Sequence, residues 1–140
     1  DSIPIKDITG LLTPFATGDL VRALKAEIDL PVFIHSHDTA GVASMCQLKA
    51  IENGADHIDT AISSMAWGTS HPGTESMVAA LKGTPYDTGL DLELLQEGSS
   101  GDGRGREVAA QRARGAQPDG CDAETIALRR SPLPAADARP

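Results

Sequence analysis

Three short apolar runs in this chain each end abruptly in polar residues, and helical periodicity follows each of them. Ile3-Pro4-Ile5 runs into Lys6-Asp7. Val32-Phe33-Ile34, opened by Pro31, runs into His35-Ser36-His37-Asp38-Thr39. His57 to Ile62 reads as a third strand. After the first run, Thr13 is a helix N-cap with Pro14 at the first helical position, and Leu20, Val21, Leu24 and Ile28 follow at helical spacing. After the second, a helix from about Gly41 carries Val42, Met45 and Ile51 and stops at Asn53-Gly54. After the third, Gly73 or Thr74 caps a helix with Met77, Val78 and Leu81 that ends at Gly83. Strands alternating with helices of these lengths predict an α/β fold with a parallel sheet. The polar strand ends then gather on one side of it.

Residues two apart on a strand share a face, so His35 and His37 project side by side where the second strand ends. Neutral imidazole nitrogens held that way suit a divalent metal such as zinc. Two ligands do not close a site, and a pair of ordinary histidines at a strand end fits the spacing too. Lys6 occupies the corresponding end of the first strand. An amine there either stays solvated or, desolvated near a metal, reacts with carbon dioxide to give a carbamate that binds metal as a carboxylate would.

The composition excludes several classes. A formal net charge of −8 argues against nucleic acid as a partner. No stretch approaches the length of a transmembrane helix and no signal peptide is visible, so direct membrane insertion is not expected. Cys46 and Cys121 lie far apart without metal-ligand spacing and read as free thiols of a reducing cytoplasm. A start at Asp1 rather than methionine suggests a piece of a longer protein.

Longer motifs carry a family resemblance. Ile5-Lys6-Asp7-x-x-Gly10-Leu11-Leu12-x-Pro14, His35-x-His37-Asp38-Thr39-x-Gly41 and Asp59-Thr60-Ala61-Ile62-Ser63 occur in order. Gly68-Thr69-Ser70-x-Pro72-x-Thr74-Glu75-Ser76 and Leu81-x-Gly83-Thr84-Pro85-Tyr86-Asp87-Thr88-Gly89-Leu90-Asp91 follow. Residues 1–97 thereby resemble the carboxyltransferase domain of biotin-dependent enzymes of the oxaloacetate decarboxylase alpha subunit, pyruvate carboxylase and transcarboxylase 5S type. The resemblance implies the C-terminal three β/α units of a TIM barrel, a fold whose active sites lie at the C-terminal ends of its strands. It implies a carbamylated Lys6 that binds a divalent metal (Zn, Mn or Co) together with His35 and His37. The family's fourth ligand, an aspartate on the first barrel strand, would lie upstream of Asp1, and its proton-shuttling threonine beyond residue 97. It further implies pyruvate or oxaloacetate as substrate, biotin carried on a separate domain or subunit, a homodimeric parent and a cytoplasmic location.

Neighbouring residues have secondary readings. Asp38 and Thr39 either orient the ligand rings by hydrogen bonds or cap the following helix. Asp7 reads as support close to Lys6. Asp59 and Thr60 read as packing and hydrogen bonding, and His57 as an exposed strand start. His71 stands where many relatives have Gln, and Asp7-Ile8-Thr9 replaces the commoner Asp-Met-Ala; neither change touches the implied ligand set.

Around residue 97 the chain changes character. Asp91-Leu92-Glu93-Leu94-Leu95 opens like a capped helix, but Gly, Ala, Arg and Pro make up 26 of the 43 residues from 98 to 140. Val108, Ile126, Leu128 and Leu133 are too few to bury a core, so this low-complexity tail is expected to be disordered, with at most a short helix near Asp122 to Arg130. An out-of-frame reading of a GC-rich gene would produce such a composition, as would a natural disordered tail.

Three function classes compete. The first is the metal-dependent, biotin-dependent carboxyltransferase, moving carboxylate between biotin and pyruvate or oxaloacetate. The second is a metal-dependent barrel lyase or hydrolase. In amidohydrolases the His-x-His precedes the lysine, whereas Lys6 precedes His35 here, and the related aldol-type lyases lack the lysine. The third is an inactive fragment, because three of eight barrel units leave strand edges unpaired.

Overall fold

The computed structural model describes residues 1–99 and the backbone of residues 124–127. Strand β1 (Ile3–Asp7) leads to helix α1 (Pro14–Glu27), β2 (Val32–Ser36) to α2 (Ala43–Glu52), and β3 (His57–Thr60) to a 3-10 turn (Ser63–Met65) and α3 (Thr74–Leu81). Helix α4 (Leu92–Ser99) and strand β4 (Glu124–Ala127) follow. The sheet order is β1-β2-β3-β4, with β1, β2 and β3 mutually parallel. The expected strand–helix alternation is therefore present, with its three β/α units.

Alternation along the strands separates two faces. Ile3, Ile5, Val32, Ile34 and Ile58 turn toward the helices. Val32, Ile34 and Ile58 are fully buried there with Val21 of α1, Ala50 and Ile51 of α2, and Met77, Val78 and Leu81 of α3. Leu24, Ile28, Tyr86, Leu90, Leu92 and Leu95 close the rim of this core, so the segment after α3 wraps onto it. Pro4, Lys6, Phe33, His35, His57 and Asp59 occupy the other face, which would be the interior of a complete barrel. Lys6 is exposed there, while His35 and Asp59 are buried.

The N-terminal ends of the strands are fastened by one carboxylate. Asp56 Oδ2 accepts from the Val32 amide at 2.8 Å and from Lys25 Nζ at 3.1 Å, and the Asp56 amide donates to Val32 O at 2.8 Å. This joins α1, β2 and the start of β3 at the end of the barrel that serves stability rather than chemistry.

The helix boundaries follow local rules. Pro14 opens α1, where its missing N–H costs nothing. Thr13 occupies the N-cap without a side-chain cap bond; its carbonyl accepts from Thr17 Oγ1 at 2.8 Å. Asn53 ends α2, and Asp91 Oδ1 receives the Glu93 and Leu94 amides at the start of α4, the capped opening expected there. Cys46 of α2 is buried, its Sγ donating to Leu12 O at 3.1 Å, and desolvation pushes its pKa up, so the thiol stays protonated. No helix among the described residues is long and apolar enough to cross a membrane.

Glu124 to Ala127 differs from expectation. The short helix expected near Asp122 to Arg130 is replaced over these four residues by β4, antiparallel to β3, with His57 opposite Ala127 and Thr60 opposite Glu124. An unpaired strand edge offers a row of backbone donors and acceptors, and β-branched Thr125 and Ile126 suit that pairing better than a helix. The remainder of the expected disordered tail, with Cys121, lies outside the described residues. Replacing Ile34 with Ala should lower unfolding stability by about 2–5 kcal/mol. Urea denaturation followed by circular dichroism would measure this, and a loss below about 1 kcal/mol would show that the helix-facing side of β2 is not the core.

Candidate metal centre

The parallel register sets the site. Lys6 of β1 is the Cα partner of His35 of β2, so the two side chains leave adjacent strands on the same face. Phe33 pairs with His57 and Ile34 with Ile58, which carries His35 into step with Asp59 of β3. Lys6, His35 and Asp59 thus form one row across the barrel-facing side. His37 lies just past the end of β2, one step nearer the mouth.

The loop between β3 and α3 folds over this row. Its base is pinned where Ala61 bridges Gly73, with the Ala61 amide on Pro72 O at 2.9 Å and the Thr74 amide on Ala61 O at 2.8 Å. Glu75 accepts the Ser63 amide, and Thr74 Oγ1 donates to Thr60 Oγ1 at 2.8 Å. Trp67 adopts a left-handed backbone, φ 67°, and its ring lies over Gly73, where a Cβ would come within 2.9 Å of Trp67 Cζ2. At its tip the loop meets the end of β2. The Asp38 amide donates to Ser70 O at 2.8 Å, and the His71 and His37 rings bond back across the same junction.

Three imidazoles converge as a result. Ring centroids lie 5.5 Å apart for His35 and His37, 4.5 Å for His35 and His71, and 4.7 Å for His37 and His71. One nitrogen from each lies within 4.8 Å of the others. His35 and His71 are buried and His37 half-buried.

Every Nδ1 in the cluster has an oxygen acceptor. His35 Nδ1 meets Asp59 Oδ2 at 2.6 Å, His37 Nδ1 meets Thr69 O at 2.5 Å, and His71 Nδ1 meets Ser36 O at 2.8 Å. A carbonyl oxygen only accepts, so the Nδ1 of His37 and of His71 carries the proton; the Asp59 carboxylate holds His35 in the same tautomer. A ring protonated on Nδ1 keeps its lone pair on Nε2 when neutral, the arrangement that hydrogen bonding to a carboxylate or carbonyl gives metal-binding histidines. Burial lowers the pKa of His71; the Ser36 carbonyl opposes this, and the neighbouring His35 and His37 reinforce it. Gln47 of α2 supports Asp59 from behind, its Nε2 donating to Asp59 O at 2.5 Å.

The expected site residues separate into two groups. Lys6, His35 and His37 share the barrel-facing side. Asp7 is buried away from the rings: its carboxylate receives the Leu11 and Leu12 amides, each at 2.9 Å, and its carbonyl accepts the His37 amide at 3.0 Å. It braces His37 through the backbone, not by touching Lys6 or a ring. Gly10, φ 66°, completes that brace, since a Cβ there would stand 2.8 Å from His37 O. Asp38 Oδ1 receives the Ala43 amide at 2.8 Å, which selects the helix-start role over ring orientation, and Thr39 is exposed. His57 is half-buried rather than exposed, edge-on to Phe33 at 6.4 Å. Asp59 and His71 are the site residues that sequence reasoning passed over. The signal for Asp59 was its matching position at the end of the third strand, and for His71 the exchange of a loop Gln for a potential ligand.

Known proteins give this geometry a context. An HMGL-like family model matches residues 1–100. The chain belongs to the HMGL-like family. A pyruvate carboxylase subunit of Methanocaldococcus jannaschii is 63% identical over 97 residues, covering 69% of this chain and 17% of that protein. The 2-oxoglutarate carboxylase large subunit of Hydrogenobacter thermophilus is 43% identical over 99 residues, covering 69% of this chain and 15% of that protein. Among solved structures, the carboxyl transferase domain from Rhizobium etli pyruvate carboxylase with pyruvate and biocytin aligns at a TM-score of 0.70 and 38% identity, over 74% of this chain and 17% of that one. The chain thus spans about a sixth of the length of these relatives. Its α/β fold is that of the TIM-barrel carboxyltransferase domain, as its motifs implied.

Long-range proton–nitrogen correlation spectra should show His35, His37 and His71 protonated on Nδ1 at neutral pH. His71 should stay neutral to a lower pH than a free histidine, which titrates near about 6.5. Its folded pKa is depressed, so its contribution to stability is complete above the free value and is lost as pH falls below it. Protonation on Nε2 in any of the three rings would contradict the assignment.

Proposed function

We propose that residues 1–99 form the metal-holding wall of a carboxyltransferase active site that moves carboxylate between biotin and pyruvate or oxaloacetate. The observation that carries this reading is the row of Lys6, His35 and Asp59 with His37 above it, on a fold shared with pyruvate carboxylase-type domains.

The donor set fits a divalent transition metal: the rings have their Nδ1 positions engaged and Nε2 available, and His35 is backed by a buried carboxylate. A metal held there would act as a Lewis acid toward the keto oxygen of pyruvate or oxaloacetate. His35 and His37 would hold it, with zinc, manganese or cobalt as candidates. Exposed Lys6 reaches the same face; its unprotonated amine would form an N–C bond to carbon dioxide, release a proton and present a carbamate oxygen as a further ligand. Asp59 holds the His35 ring at Nδ1 and leaves Nε2 for the metal, and Gly10 with the Asp7 carbonyl fixes the height of His37. Biotin would arrive on a separate carrier domain or subunit, and the parent enzyme would be a cytoplasmic homodimer. Lys6, in register beside His35, favours this reaction over a barrel lyase without that lysine.

An exchange tests the reading. Residues 1–99 placed in the matching segment of the Methanocaldococcus jannaschii pyruvate carboxylase subunit should support carboxylation of pyruvate. Lys6→Ala or His35→Ala in that chimera should reduce the rate by more than about 100-fold, and Asp59→Asn should weaken metal binding by about 10–100-fold. Full activity in the Lys6→Ala chimera would overturn the role given to Lys6.

A further inference from the structure

We propose that His71 is a third imidazole ligand, so that this chain carries a nitrogen-rich metal site of its own: His35 and His37 from the end of β2 and His71 from the β3–α3 loop. The proposal rests on the metal reading given above and extends its ligand set.

Three independent features lead to it. The first is placement: the His71 ring sits 4.5 Å from the His35 ring and 4.7 Å from the His37 ring, nearer to each than they are to one another at 5.5 Å. A third ligand closes the triangle from the side that the two strand-end histidines leave open. The second is orientation. His71 Nδ1 is engaged by the Ser36 carbonyl, which leaves Nε2 as the donor atom, just as Asp59 and Thr69 do for the other two rings. A histidine serving only to fasten the loop would need that one bond and no particular partners on its other edge. The third is rigidity: the loop is bonded to the end of β2 at Ser36, His37 and Asp38, so the His37 and His71 rings are held at one backbone junction, and the Asp59 carboxylate holds the His35 ring beside it.

Tetrahedral zinc with bonds of about 2.0–2.1 Å places its ligands roughly 3.4 Å apart. One nitrogen from each ring lies within 4.8 Å of one from each of the others, so side-chain rotations bring three imidazoles onto one ion. Three imidazoles favour zinc and cobalt over the harder manganese and magnesium, which prefer oxygen donors. A Lys6 carbamate, or water, then takes the remaining position.

The test uses the full chain loaded with one equivalent of zinc. X-ray absorption fine structure at the zinc edge counts imidazoles directly from their multiple scattering. The expected result is three imidazoles in the unaltered chain, two in His71→Gln, and a zinc affinity at least tenfold lower in that variant by competition with a chromophoric chelator. His57→Gln removes the fourth histidine of the chain and should leave the count at three. Should His71→Gln fail to fold by circular dichroism, the count in the unaltered chain and in His57→Gln decides alone. Two imidazoles in the unaltered chain would overturn the role of His71 and leave the metal reading standing. No zinc uptake would overturn both.

Discussion

The end of β2 is held from both flanks, and the rest of the site takes its shape from that. On one side the Asp7 carbonyl receives the His37 amide at 3.0 Å; on the other the Ser70 carbonyl receives the Asp38 amide at 2.8 Å. Between them, Ser36 O receives the His71 ring. Strand ends usually fray into loops with backbone groups turned to water. Here those groups are committed to β1 and to the β3–α3 loop, so the side chains at 35, 37 and 71 have little freedom in where they point. A buried polar junction of this kind is favourable only if its members are satisfied; the bonds described meet that condition at each Nδ1, while Ser36 Oγ is buried without a hydrogen-bond partner.

The two faces of the sheet divide the work. Toward the helices, Val32, Ile34 and Ile58 are buried among aliphatic side chains, and this burial supplies the driving force that orders the strands. Toward the barrel interior the same strands place exposed Lys6 in one row with buried His35 and Asp59, and the two buried groups are costly unless paired. Asp59 is 2% exposed and His35 5%, and their contact at 2.6 Å offsets the desolvation of both. One strand alternation thus produces both the core and the site, and a shift of β2 by one residue would exchange them.

Much of this was legible in the sequence, and the gaps have physical causes. Helix boundaries at Pro14, Asn53 and Asp91 rest on contacts within a few residues, which sequence carries well. His35 and His37 were visible because a period of two needs no partner strand. Asp59 was not, because its meeting with His35 depends on the register between β2 and β3, which is a tertiary property. His71 lies in a loop whose path is decided by acceptors on β2, far away in sequence. Asp7 was expected close to Lys6, and Asp38 either beside the rings or capping the next helix, yet a carboxylate at or just past a strand end reaches the free amides of the next turn sooner than a group on the other face. The four residues of β4, with β-branched Thr125 and Ile126 beside helix-forming Glu124 and Ala127, show the ambiguity of a short segment, settled by the open edge of β3.

The Nδ1 atoms of the strand-end histidines are anchored, which leaves Nε2 of each ring as the donor for a shared ion, and the metal reading depends on this above all. Anomalous diffraction at the zinc edge from crystals of the full chain grown with zinc tests it most directly. One strong peak is expected about 2.0–2.1 Å from Nε2 of both His35 and His37, with Nδ1 still bonded to Asp59 and to Thr69 O. A peak bonded through either Nδ1, or no peak between these rings, would contradict it.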